Sequence, residues 1–177
     1  MYKSFLRVLK CDLSLHAAIL GYIFGLVFPA FTGGVLSVES IPELGSVFLQ
    51  KGGFSLFMQT ASEQAIYTCI IFFIGFIPYA GIISSCVLFI RSFASAYSSL
   101  MLALGGASEA LYVLHTFSSV FILCICFALS RCAYKYSHSE NQSSQVERTI
   151  SYALEFLFFT GLMFIVIFCR NVALAFV

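Results

Sequence analysis

Polar and apolar positions in this chain fall into long blocks, and five apolar blocks stand out. They cover residues 15–35, 64–84, 86–106, 110–129 and 150–168. A helix needs roughly 20 apolar residues to cross a bilayer. The expected fold is therefore all-α: a polytopic membrane helix bundle of about five transmembrane helices. The stretch Gln64–Gly106 carries a single charge, Arg91, and reads as two crossings with a tight turn around Ser84–Ser92. In that reading Pro78 and Gly81 lie in the first arm, and Arg91 lies near the turn or just inside the second. Small residues recur at helical spacing there, Ser92 with Ala96, and Ser95 with Ser99 and Ala103. Such a pattern lets helix backbones approach closely in lipid. Gly21-x-x-x-Gly25 is a motif of the same kind in the first block, followed by Pro29 and closed by Gly33-Gly34.

The polar blocks suggest an orientation. Residues 1–14 form a basic amphipathic segment in which Lys3, Arg7 and Lys10 share one helix face. Such a segment lies on an anionic leaflet and marks a cytoplasmic N-terminus. The apolar run behind it is too long for a cleaved leader and has no convincing small-x-small site after it, so a retained anchor is expected. Residues 37–63 hold Glu39, Glu43 and Glu63 against Lys51, as an exterior segment should. Val47–Leu49 and Phe54–Met58 are too apolar for a plain loop. Short helices on the outer surface are expected there, serving either as a partner surface or as a cap on the bundle. Residues 131–149, with Arg131, Lys135 and Arg148, read as a mobile cytoplasmic loop, in which the sequon at Asn141 is a chance match. These readings put the C-terminus outside a plasma membrane that the chain crosses several times.

Composition agrees, with 60% hydrophobic and 10% charged residues and a mean hydropathy of +0.99. A soluble domain has about 25% charged residues. The net charge of +1 leaves no basic face for a nucleic acid. With 21 Phe and no Trp, Tyr has to supply any interfacial belt. The 7 cysteines sit mostly in apolar runs, without a Cys-x-x-Cys pair, so neither zinc nor redox chemistry is indicated. Nucleotide-loop, zinc-protease and nucleophile-elbow motifs are absent as well. No catalytic residue, cofactor or metal is expected.

The ionisable groups in or near the apolar blocks are His16, Arg91, His115, Glu155 and Arg170. An ionisable group inside a membrane is a functional candidate by default. His115 lies beside Thr116, Ser118 and Ser119, and its plainer reading is a neutral histidine hydrogen-bonded to a neighbouring helix. Arg91 and Glu155 both fall near the expected cytoplasmic side, where pairing would fix helix register. Arg170 and Asn171 mark the expected outer interface.

The run FIRSFASAYSSLMLALGG, Phe89–Gly106, resembles the central segment of the stage II sporulation protein M family. In that family an apolar helix with a proline leads to a basic residue and then to glycines every few positions. Pro78 and Arg91 fit that order with a longer spacing, and Ser92 and Ala96 stand where the family tends to have glycine. Chain length, five spans and a short greasy tail are similar too. The fourth span departs from the pattern: His115 falls about where the family often has proline, and no acid follows a turn later. The resemblance implies a non-catalytic membrane scaffold of sporulation engulfment that recruits peptidoglycan hydrolases. Its partners would be those enzymes, other membrane proteins and the lipid bilayer. A second reading is the membrane subunit of an exporter whose ATPase is a separate chain, with Pro78, Arg91 and His115 lining a path.

Overall fold

The structure is a computed structural model that describes residues 2–31, 53–104, 108–138 and 144–174. The glycine pairs Gly33-Gly34 and Gly105-Gly106, the exterior segment up to residue 52 and the sequon at Asn141 lie outside them. The described residues form five helices: α1 (Tyr2–Phe31), α2 (Gly53–Ile74), α3 (Ala80–Leu104), α4 (Glu109–Ser137) and α5 (Gln145–Leu174). Three of these, α3, α4 and α5, are long and apolar enough to cross a membrane. Their 25, 29 and 30 residues give lengths of about 37–45 Å, against a hydrocarbon core of about 30 Å.

Several boundaries differ from the sequence reading. The turn between the second and third helices is at Gly75–Tyr79, well before Ser84–Ser92. Proline lacks an N–H and biases its predecessor away from helix, so the chain breaks around Pro78. Single-turn bonds finish α2 there, from Gly75 N to Phe72 O at 3.1 Å and from Ile77 N to Ile74 O at 2.9 Å. Pro78 therefore lies in the turn, Gly81 is in the first turn of α3, and Arg91 sits near the middle of that helix. From Tyr2 to Phe31 the basic segment and the described part of the first span are one continuous helix. Residues 53–63 are the first half of α2, not a segment lying outside the bundle.

Most of the polar region 131–149 is helical as well. α4 continues to Ser137, and α5 starts at Gln145 behind Ser144, whose hydroxyl accepts from Glu147 N at 3.2 Å. Ser144-x-x-Glu147 has the spacing of a capping box. Ser108 caps α4 in the same manner through Leu111 N, with Glu109 in the first turn.

Neighbouring helices in the chain alternate in direction. Ser14 meets Ser85 and Phe28 meets Tyr97, so α1 and α3 are parallel. Phe57 meets Phe168 and Phe72 meets Tyr152, so α2 and α5 are antiparallel. α4 opposes both α3 (Ser98 with His115) and α5 (Tyr136 with Thr149). The hydrophobic core is built by α2–α5 around Ile71, Leu88, Ile122, Leu129, Phe156, Met163 and Ile167. α1 packs outside this core, against α3.

That contact is a seam of small residues. A Cβ on Gly21 would overlap the Phe89 carbonyl oxygen, and one on Gly25 would overlap that of Phe93 and lie 2.8 Å from the Ala96 Cβ. Ser92 donates its hydroxyl to the Ala18 carbonyl, and the Ser14 and Ser85 hydroxyls are 2.9 Å apart. The two small-residue motifs, Gly21/Gly25 and Ser92/Ala96, thus meet each other. Serines and other small residues fill much of the interior, whereas the outer surface displays large side chains such as Phe73, Ile66, Phe117, Leu157 and Phe168. An apolar outside of that extent suits lipid rather than water.

At the end of the bundle where α2 stops, Tyr152 stacks between Tyr136 and Phe72, with ring centroids 4.6 and 5.2 Å away. Its hydroxyl donates to the Phe72 carbonyl at 3.0 Å. This carbonyl is among the last of α2 and also accepts from Gly75 N, so Tyr152 supplies its second bond. Tyr152→Phe keeps the stacking and removes the bond. It should lower stability by about 0.5–1.5 kcal/mol, read as a fall in the thermal midpoint of the purified protein.

Candidate functional site

Polar side chains gather inside the half of the bundle that holds the start of α2 and the end of α5. On α2, Thr60, Gln64 and Thr68 recur every fourth residue and so form one stripe. All three are buried, Gln64 to 3% exposure. The stripe faces α5: Arg170 Nη2 donates to Thr60 Oγ1 at 2.9 Å, and the Thr68 hydroxyl lies 3.6 Å from Met163 Sδ. Arg170 and Asn171 are each only 7% exposed, so they point into the bundle and do not mark its rim. Asn171 Nδ2 donates to the Ile167 carbonyl at 2.9 Å.

His115 on α4 enters the same half. Its Nε2 is 3.1 Å from Ser98 Oγ on α3, and Ser98 in turn donates to the Ser95 carbonyl at 3.0 Å. A serine hydroxyl has one proton, so with that proton on Ser95 the imidazole Nε2–H is the donor. The histidine is hydrogen-bonded to a neighbouring helix, which was the plainer of its two sequence readings. Arg91, midway along α3, holds its guanidinium 5.4 Å from the Tyr67 ring centroid of α2. Arg91, His115 and Arg170 lie within electrostatic reach of one another, and Glu63, exposed on α2, lies within reach of Arg170.

Donors and acceptors remain in this region. Arg91 Nε, Arg170 Nε, Gln64 Oε1, Asn171 Oδ1, Ser95 Oγ and Thr116 Oγ1 are buried without a hydrogen-bond partner. A cavity of about 10 Å³ lies between α3, α4 and α5, lined by Leu102, Leu111, His115, Arg170 and Leu174. That is room for about one water molecule.

Other residues singled out from the sequence are placed elsewhere. Arg91 and Glu155 are not brought together: Glu155 pairs with Lys135 at 3.5 Å, at the opposite end of the bundle from Arg170. Those two side chains are 77% and 41% exposed, so their pairing contributes at most about 1 kcal/mol. Sequence position brought Glu155 and Arg91 to one side because the turn was expected near Arg91. With the turn at Pro78, Arg91 moves to mid-helix. Pro78 lies in the turn before α3, at the other end of that helix from the Ser98–His115 contact. Gly21, Gly25, Ser92 and Ala96 converge, but as the packing seam of α1 on α3.

Among the described residues no group of three or more His, Cys, Asp or Glu side chains is placed to hold a metal. Cys69, Cys86, Cys124, Cys126, Cys132 and Cys169 are free, with Cys124 exposed and Cys126 buried on different helix faces. The chain matches no family model, and neither a curated protein nor a solved structure shows significant similarity to it.

Proposed function

We propose that this chain is a multi-pass scaffold of the plasma membrane that positions partner proteins and performs no catalysis of its own. All five helices cross the bilayer in this reading, with the N-terminus cytoplasmic and the C-terminus outside. Beyond α3, α4 and α5, the arrangement rests on neighbours. α2 accompanies α5 from Phe57 to Phe72, and α1 accompanies α3 from Ser14 to Phe28. A helix lying along a crossing helix for that distance shares its depth.

The observation that carries the scaffold reading is the tight packing of the helices at two places among the described residues. α1 and α3 meet backbone to backbone at Gly21 and Gly25, and the space where His115 and Arg170 converge has a volume of about 10 Å³. Ligand sites for small organic molecules occupy roughly 300–1,000 Å³. The outer surface is then what the protein offers to others. The resemblance of Phe89–Gly106 to the stage II sporulation protein M family supplies the kind of partner, peptidoglycan-cleaving enzymes that remodel the wall at a septal membrane.

One observation favours the exporter-subunit reading instead: Arg91 lies at mid-depth with a buried, unpartnered Nε, and such groups mark transport pathways. Crosslinked co-purification from native membranes, with a tag on the N-terminus, separates the two. Wall hydrolases should be recovered. Recovery of a nucleotide-binding subunit in their place would overturn the scaffold in favour of the exporter, and recovery of neither would remove wall remodelling.

A further inference from the structure

We infer that the exposed face of α2 seats a transmembrane helix of another protein, one that presents a lysine or arginine to Glu63. This deepens the scaffold reading by naming the partner's chemistry, and it rests on α2 crossing the bilayer. Depth is the first ground. The exposed Lys135–Glu155 pair marks one membrane boundary on α5. Thr60 meets Arg170 and Thr68 meets Met163, which brackets Glu63 between those two levels of α5. At 1.5 Å per residue these levels are about 12–22 Å from the pair, inside a hydrocarbon core about 30 Å thick. Glu63 nevertheless faces outward, with Gln59 and Ser62 exposed beside it. Among the described residues it makes no hydrogen bond or salt bridge, and Arg170, within its electrostatic reach, is turned inward to Thr60. An ionisable side chain at such a depth almost always faces a protein interior or pairs with another. A face that does neither calls for protein against it.

Shape is the second ground. Next to Glu63 the same face holds an apolar groove of about 570 Å³, walled by Ile66, Ile70, Phe73 and Ile77, with Ala65 and Cys69 among its lining. It follows α2 from Ala65 to Ile77, a length of about 18 Å. Ala65 and Cys69 are small and one turn apart, the spacing at which a second helix comes close in lipid. A lipid tail would fill the groove but offers the carboxylate neither a proton donor nor a charge. The third ground decides between another protein and a second copy. A two-fold axis along the membrane normal would set Glu63 against Glu63. The exposed lysine and arginine among the described residues, Lys135 and Arg131, belong to the other end of the bundle.

The test places the purified full chain in phosphatidylcholine vesicles with synthetic oligoleucine helices of about 20 residues. Each helix carries one cysteine and, two turns away on the same face, lysine, leucine or glutamate. Cys69 is exposed in the groove and serves as the natural reporter. Oxidation should join it to the lysine helix in about 5–30-fold higher yield than to the leucine helix, with the glutamate helix lowest. Glu63→Lys should turn the preference towards glutamate. Cys124, exposed on α4, should show no preference. Equal yields at Cys69, or a lysine preference unchanged in Glu63→Lys, would overturn the proposal. A Cys69–Cys69 disulfide in vesicles without peptide would overturn it in favour of a second copy. Labelling of Cys69 by a membrane-impermeant maleimide would overturn the crossing of α2 itself, and the docking face with it. A protected Cys69 with equal yields would remove the docking face alone.

Discussion

Gly21→Ala is expected to detach the first helix from the bundle. Alanine is intrinsically the better helix former by about 0.8–1 kcal/mol, so in an uncrowded position the change would stabilise. Gly21 is not such a position. Its new methyl would overlap the Phe89 carbonyl oxygen and lie 3.0 Å from the carbonyl carbon and 3.1 Å from Cα. All three atoms belong to backbone, which cannot rotate aside as a side chain can. Inserting one carbon into a tight contact typically costs about 1–3 kcal/mol, and here the helices must also separate, which breaks the Ser92 bond to Ala18 and the Ser14–Ser85 contact. Gly25→Ala acts on the same seam through Phe93 and Ala96, so the pair together should exceed either alone. Cysteines placed at Ser14 and Ser85 should crosslink in the parent chain and fail to do so in Gly21→Ala. Gly161→Ala is the control: nothing lies within 4 Å of its added carbon, and it should leave crosslinking and accumulation intact. Crosslinking that survives Gly21→Ala would mean that the two helices do not meet this closely.

Thr60→Val should produce the second large loss. Valine matches the shape of threonine but offers Arg170 no oxygen. The guanidinium would then lose its 2.9 Å bond while staying buried. Hydrogen bonds to charged groups are worth about 1.5–3 kcal/mol, which for a chain of this size is a fall of about 3–12 °C in thermal midpoint. Thr60→Ser restores the hydroxyl and should recover most of it. Equal midpoints for valine and serine would show that the Arg170–Thr60 bond contributes nothing measurable.

The helical class was readable because block hydropathy does not depend on which helix meets which. The turn was harder. Hydropathy is blind to backbone geometry, so residues 64–84 read as one crossing although Gly75 and Pro78 interrupt it. A break signalled by proline and glycine outranks one placed by hydropathy, and misplacing it puts Arg91 near a turn and beside Glu155 when it lies mid-helix and apart from it. The seam was half legible: Gly21/Gly25 and Ser92/Ala96 were recognised as contact motifs, but their facing each other depends on α1 passing over α2 to reach α3. The Thr60–Gln64–Thr68 stripe carried a signal, a polar residue every fourth position, masked because the reading divides it between an exterior segment ending at Glu63 and a span starting at Gln64. The inward turn of Arg170 had none. A cation near the end of an apolar helix ordinarily reaches for the interface, whereas this one turns inward to the Thr60 hydroxyl across the bundle.

The parallel pairing of α1 with α3 has a consequence for synthesis. Its partners are 71 residues apart at Ser14 and Ser85, and translation proceeds at about 5–20 residues per second. If α1 crosses the bilayer, as proposed, it waits about 4–14 s there before its partner emerges. Throughout that interval the glycine face is turned to lipid and open to any other small-residue helix nearby. The assembly of this protein is for those seconds a competition, and the close backbone fit at Gly21 and Gly25 is what lets the cognate helix win it.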